Sequence, residues 1–155
     1  MIMHRSVFAS PLGPLGIETD GENVLRIEID PDWSSDPVSS GIARRAIEEF
    51  GRYFSGELRE FTVPLLVKGT PFRKKVLQAL REIPYGTTAS YRDVAVRIGH
   101  PKAVRAVGTV CAGNDLPILI PCHRVVRSDG SMGGYAFGTE RKAHLLGLEK
   151  HSLGR

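Results

Sequence analysis

Between Ser90 and Gly113 two short amphipathic stretches are joined by Gly99-His100-Pro101, and this segment restricts the fold more than any other part of the chain. Ser90 and Asp93 have the S-x-x-D spacing of a capping box, Val94, Ala95 and Ile98 face inward, and Gly99 supplies a C-terminal stop. The second stretch starts at Pro101 and runs through Val104, Val107 and Val110 to Gly113, so the pair reads as a helix-turn-helix. Just upstream, Thr70-Pro71 is a cap followed by a proline at the first helical position, and Phe72, Val76, Leu77 and Leu80 form one stripe that ends before Pro84-Tyr85-Gly86.

The first half has a different texture. From Val7 to Ile29 short apolar stretches are broken by Pro11, Gly13, Pro14, Gly16 and Asp20-Gly21, with alternation from Leu25 to Ile29, which predicts a small antiparallel sheet. The segment DPDWSSDPVSSG reads as a linker. Ile42, Ala46, Ile47, Phe50, Tyr53 and Phe54 then recur at helical spacing until Gly56, and FTVPLLV reads as extended. Residues 1–68 are therefore expected to form a structural α/β module, and residues 69–155 the domain that carries chemistry. In that domain LPILIP reads as a buried extended segment feeding Cys122. Thr139 is expected to cap a last helix whose apolar side is Ala143, Leu145, Leu146 and Leu148.

Bulk properties exclude several classes. At 41% hydrophobic and 25% charged residues, the chain of 155 residues has the composition of a globular protein and not of a disordered one. No run approaches the roughly 18 apolar residues of a membrane span, and MIMHRSVF lacks the apolar block of a signal peptide, so a cytoplasmic address is expected. Five histidines form no HExxH or Cys-His cluster, and no glycine-rich phosphate loop is present, so neither metal nor nucleotide cofactor is expected. Cys111 and Cys122 match no CxxC motif and are expected as free thiols.

The net charge of +4 favours a polyanionic partner, and its placement is more telling than its size. Between Val94 and Asn114 there is no acidic residue, while Arg97, Lys102 and Arg105 are present, so this surface meets phosphates without repulsion. The second helix carries Ala103, Ala106, Gly108, Ala112 and Gly113 and few long polar side chains of the kind that read base edges. It is suited to close approach without sequence reading, or to tight helix packing.

The sharpest chemical feature is Ile120-Pro121-Cys122-His123-Arg124-Val125. Proline forces Ile120 out of the helical region and fixes its own φ, so a stiff bend presents the thiol. A thiolate is the reactive species, and His123 and Arg124 are the adjacent groups able to favour it. Neighbours on a regular strand point to opposite faces, so a turn or a bridging water has to connect Cys122 with His123. The same residues also fit a small buried cysteine beside a satisfied histidine.

PCHRV preceded by ILI, with Asn114 eight residues before Cys122 and Gly134-Tyr135 after it, resembles the O6-alkylguanine-DNA alkyltransferases. GTPFRKKVLQALREIPYGTTASY, AVRAVGTVCAGN, GGYAFG and RKAHLLGLE follow in the family's order, from Thr70 to Lys150. The resemblance implies a strand-rich amino-terminal module, ribonuclease H-like in that family, and a helical carboxy-terminal domain with a winged-helix-like helix-turn-helix. It implies Cys122 as alkyl acceptor, His123 as a base acting through a water, Glu149 as the carboxylate orienting it, and Asn114 as a hinge. Tyr91 would assist nucleotide rotation and donate to guanine N3, and Arg105 would be the finger entering the vacated stack. Lys102, Ala106 and Gly108 would meet DNA, while Pro117, Val125, Tyr135, Ala136 and Phe137 would line the base pocket. The carbonyls of Cys122 and Val125 would accept from the exocyclic amine, and the N–H of Ala136 would donate to O6. The implied activity is single-turnover removal of an alkyl group from O6 of guanine in double-stranded DNA, through the minor groove, by a monomer without cofactor. Activity on O4-alkylthymine stays open. Alternatives are a non-enzymatic binder of alkylated DNA, against which Cys122 argues because the acceptor is replaced in that class, and a helix-turn-helix transcriptional regulator.

Overall fold

The computed structural model describes residues 3–37 and 40–154, so Val38 and Ser39 of the expected linker, Met1-Ile2 of the amino terminus and the terminal Arg155 lie outside the described residues. The chain divides into two compact units, Met1–Val67 and Lys68–Arg155. It is an α/β protein with a strand-rich first unit and a mainly helical second one.

In the first unit β1 (His4–Phe8), β2 (Leu15–Thr19) and β3 (Val24–Ile29) form an antiparallel meander. Leu15, Ile17, Ile27 and Ile29 are buried under α1 (Gly41–Phe54), which presents Ala43, Ala46, Phe50 and Tyr53. Ser40 caps this helix through the Ala43 N–H. Phe50 packs against Phe8 and Phe61 with centroids 5.4 and 5.0 Å apart. The buried Glu49 carboxylate accepts from the Thr62 and Val63 amides and the Thr62 hydroxyl, fixing the extended FTVPLLV piece, whose Pro64 carbonyl accepts from Val24. The expected linker is part of the unit. Ser35 and Asp36 bond the free edge of β1 at Val7 and Arg5, which shields an otherwise unpaired strand. Trp33 lies over Gly16, where a Cβ would sit 2.5 Å from the indole.

The second unit opens with α2 (Pro71–Arg81), capped by Thr70 with Pro71 in its first turn. A reciprocal Ser90/Asp93 capping box starts α3 (Tyr91–Arg97), and α4 (Val104–Ala112) completes the three-helix cluster. The second helix begins at Val104, three residues later than the sequence suggests. Pro101 instead occupies the second position of a turn closed by Ala103 N–H on the His100 carbonyl at 2.9 Å, a place that suits its fixed φ as well as a helix start does. A short parallel pair joins β4 (Ala89–Ser90) to β5 (Val125–Val126), tying the start of α3 to the segment after Cys122.

Two further expectations need correction. LPILIP is buried but not extended: Pro117 and Ile120 bridge across a tight turn, Ile118 has φ of 73°, and the Ile120 N–H returns to the Leu116 carbonyl. Its apolar residues are buried because the turn is packed, not because it is a strand. Thr139 is the first residue of α5 (Thr139–Leu153) and not its cap; Gly138 takes that place with φ of 96° and no side-chain cap bond. The buried residues of α5 are Lys142, Leu145, Glu149 and Ser152, at intervals of three, four and three, while Ala143 is exposed. Among the described residues no helix is long and apolar enough to cross a membrane, and no group of three metal-binding side chains is present.

Candidate active site

The thiol is held by a bend that Asn114 builds. Its Nδ2 donates to the Ile120 carbonyl at 2.9 Å and its Oδ1 accepts from the Leu116 N–H at 3.0 Å, so one buried amide closes the 116–120 turn. Pro121 has φ −80° and ψ 64°, and the Cys122 N–H bonds the Ile120 carbonyl at 2.8 Å. This is an inverse γ-turn, whose φ is the one proline imposes. Cys122, His123 and Arg124 then form one turn of 3-10 helix, the turn needed to bring neighbouring side chains out of strand alternation.

The two residues that follow Cys122 enter a buried ionic cluster. His123 Nε2 is 2.7 Å from Glu149 Oε2, and both side chains have zero exposure. Arg124 donates from Nε to Oε1 at 2.8 Å and from Nη2 to Oε2 at 3.0 Å, and its Nη1 bonds the Ile83 carbonyl. The Gly86 N–H also donates to Oε1. These donors overcome the burial of Glu149 and hold its pKa down to about 2. His123 is held below the usual imidazole range, by burial first, with Arg124 and Lys142 adding to it and Glu149 opposing it. Its Nδ1 is buried and has no hydrogen-bond partner. Arg124 therefore serves the carboxylate and not the thiol, contrary to the expectation that it helps ionise Cys122. Burial raises the Cys122 pKa, against a hydrogen bond from Asn114 and the charge of Lys142, so at rest the sulfur is a thiol.

Cys122 opens onto a cavity of about 300 Å³ lined by Tyr91, Gly108, Cys111, Ala112, Cys122, Gly134, Tyr135 and Ala136. Tyr91, at the start of α3, lies 3.9 Å from the position a Cβ on Gly108 would take, so a larger residue on this face of α4 would narrow the opening. Tyr135 Oη is buried without a partner. Of the expected pocket residues, Tyr135 and Ala136 line the cavity and three do not. Pro117 is buried in the 116–120 turn, Val125 is buried in β5, and Phe137 sets its ring edge-on to Tyr135 at 5.4 Å. Lys102, Arg105 and Ala106 are exposed on the turn before α4 and on its first turn, with Val104 beside them.

Lys142 was not legible as a site residue. It is fully buried, and its Nζ donates to the Val125 carbonyl at 2.6 Å and to the Gly134 carbonyl at 3.0 Å, linking β5 to the cavity wall. Its distance of seven residues from Glu149, two helical turns on one face, was the available signal. Cys111, expected in the core, is buried and also borders the cavity; burial pushes its pKa up to about 12.

Fold and site together define a helix-turn-helix domain with a cavity-lining cysteine followed in the chain by a histidine buried against a carboxylate. The family model for the DNA binding domain of 6-O-methylguanine DNA methyltransferase matches residues 71–151. The chain is 41% identical over 160 residues to the methylated-DNA–protein-cysteine methyltransferase of Methanosarcina barkeri, covering 97% of this chain and 99% of that one. Identity to the constitutive methyltransferase of Bacillus subtilis is 42% over 153 residues, covering 92% and 93%. Among solved structures, Mycobacterium tuberculosis OGT in complex with DNA superposes with a TM-score of 0.89 at 39% identity, covering 96% of this chain and 94% of that chain. The chain belongs to the methylated-DNA–protein-cysteine methyltransferase family.

Proposed function

We propose that this protein repairs DNA by moving the alkyl group of O6-alkylguanine, methyl above all, onto Cys122 and keeping it. The observation that carries this reading is the cavity: Cys122 borders a space of about 300 Å³ beside Tyr91, and the next residue of the chain, His123, is paired with a buried Glu149. A buried thiol with a raised pKa reacts poorly in the resting state, which suits a protein that should ignore soluble electrophiles. A base seated in the cavity displaces bulk water, and a water held between the thiol and the unpaired Nδ1 of His123 passes the thiol proton to the imidazole. The thiolate then attacks the alkyl carbon in line, the C–O bond breaks, and guanine leaves with its electrons. Tyr91, kept protonated by partial burial, donates to guanine N3 so that the base departs neutral. A thioether has no easy exit, so each molecule reacts once.

DNA reaches the site through the exposed face of α4. Arg105 fills the place of the rotated nucleotide, Lys102 meets phosphate, and Ala106 and Gly108 allow close minor-groove approach without reading sequence. Asn114 is the hinge between this helix and the thiol bend, since α4 ends at Ala112 and the next turn is closed by the Asn114 amide. The protein acts as a monomer. The test is intact mass after incubation with an O6-methylguanine oligonucleotide. The expected result is a gain of one methyl that disappears in Cys122→Ala; no gain, or a gain that survives in that variant, defeats the reading.

A further inference from the structure

We infer that Arg124 is a positioning residue that keeps His123 a neutral imidazole with its proton on Nε2, by engaging both oxygens of Glu149. The inference rests on the proposed role of His123 as base and concerns what makes it one. Glu149 is ionised and only accepts, so the 2.7 Å contact requires a proton on His123 Nε2. The state of Nδ1 is then the open question, and the geometry answers it. Nδ1 is buried without a partner; a second proton there would bury an unpaired charged N–H, whereas a lone pair costs much less.

A lone carboxylate against imidazole would draw that second proton in. Here the Glu149 charge is already matched, because Arg124 spans the carboxylate at 2.8 and 3.0 Å and is itself locked by the Ile83 carbonyl at 2.8 Å. Among the described residues, the charged groups acting on the imidazole are Glu149 and Lys142 on α5 and Arg124 beside it, two cations against one carboxylate. The result is an imidazole whose Nδ1 keeps its lone pair at neutral pH and below, available for the thiol proton in the proposed step. Lysine in place of Arg124 keeps a charge but cannot hold both oxygens, so the two roles of charge and fork geometry are separable.

The experiment is long-range proton–nitrogen NMR of the DNA-free protein with ¹⁵N-labelled histidine, assigned by single replacement of His4, His100, His144 and His151. The expected spectrum shows His123 with an unprotonated Nδ1 and a protonated Nε2 from pH 8 to 5.5. In Arg124→Met the His123 midpoint should rise by about one pH unit, a tenfold gain in proton affinity, and in Arg124→Lys, which keeps the charge but loses the fork, by a smaller amount. The acid limb of the methyl-transfer rate should move upward with it. A purely structural role would lower the rate without moving that limb. Imidazolium or an Nδ1–H tautomer in the wild type at pH 7 overturns the inference even if neither variant folds, as does an unmoved midpoint in a folded variant. Because the spectrum needs no DNA, failure of methyl transfer is a separate result that strikes the proposed function instead.

Discussion

Replacing Asn114 with alanine isolates the device that presents the thiol. The Leu116 N–H is left without its acceptor inside a packed turn, at a cost of about 1–3 kcal/mol for a buried unmet donor. The Ile120 carbonyl loses the Asn114 amide but keeps the Cys122 N–H, which adds about 0.5–1.5 kcal/mol. Together the loss is about 1.5–4.5 kcal/mol, a large share of the roughly 5–15 kcal/mol that holds a typical domain folded. It should appear as a lower urea midpoint at unchanged slope. The γ-turn at Pro121 would then depend on one bond, and small displacements of a nucleophile are costly, so the methyl-transfer rate of the surviving folded protein should fall on the order of 10²-fold. A variant that loses under about 1 kcal/mol and reacts at the wild-type rate refutes the argument that this amide sets the bend.

Three other outcomes follow from the same geometry. Glu149 has its pKa depressed to about 2 in the folded state, so its contribution is full above the ordinary carboxylate value and is lost as pH falls from about 4.5 toward 2. Urea midpoints should show a decline on the order of 3 kcal/mol over that window, absent in Glu149→Gln; parallel curves for the two proteins contradict the assignment. Cys111→Ser should still take up one methyl per molecule at a stability cost of roughly 1 kcal/mol, and loss of uptake would make Cys111 the acceptor. Phe137 buttresses Tyr135 instead of facing the cavity, so Phe137→Gly should loosen that wall and speed inactivation by O6-benzylguanine. Equal inactivation rates in both proteins remove this role.

The helices of the second unit were readable because their signals are local. Thr70-Pro71 and the Ser90/Asp93 box act within three residues, and both occur as the spacing predicts. Pro101 was misread because one fixed φ serves a turn or a helix start equally, and only the chain reversal at Gly99, with φ of 81°, selects between them. LPILIP was misread because burial alone cannot separate a strand from a packed turn. What excludes a strand is the Asn114 amide, which meets backbone groups that a neighbouring strand would otherwise satisfy. The buried face of α5 was hidden because three of its four residues are polar. Lys142, Glu149 and Ser152 are invisible to an apolar periodicity, and for Lys142 and Glu149 only the partners in other segments explain their burial. PCHRV was legible as chemistry, but the part of Arg124 was not, since it depends on a carboxylate twenty-five residues away.

The central claim is a transfer that ends in a dead product, and the most direct measurement is the number of methyl groups each molecule accepts. Purified protein is mixed with a tenfold excess of duplex DNA bearing labelled O6-methylguanine, and protein-bound label is followed to its plateau. The account predicts a plateau at one equivalent, all of it recovered as S-methylcysteine at Cys122. Continued repair of the DNA beyond one equivalent, or label on any other residue, contradicts it.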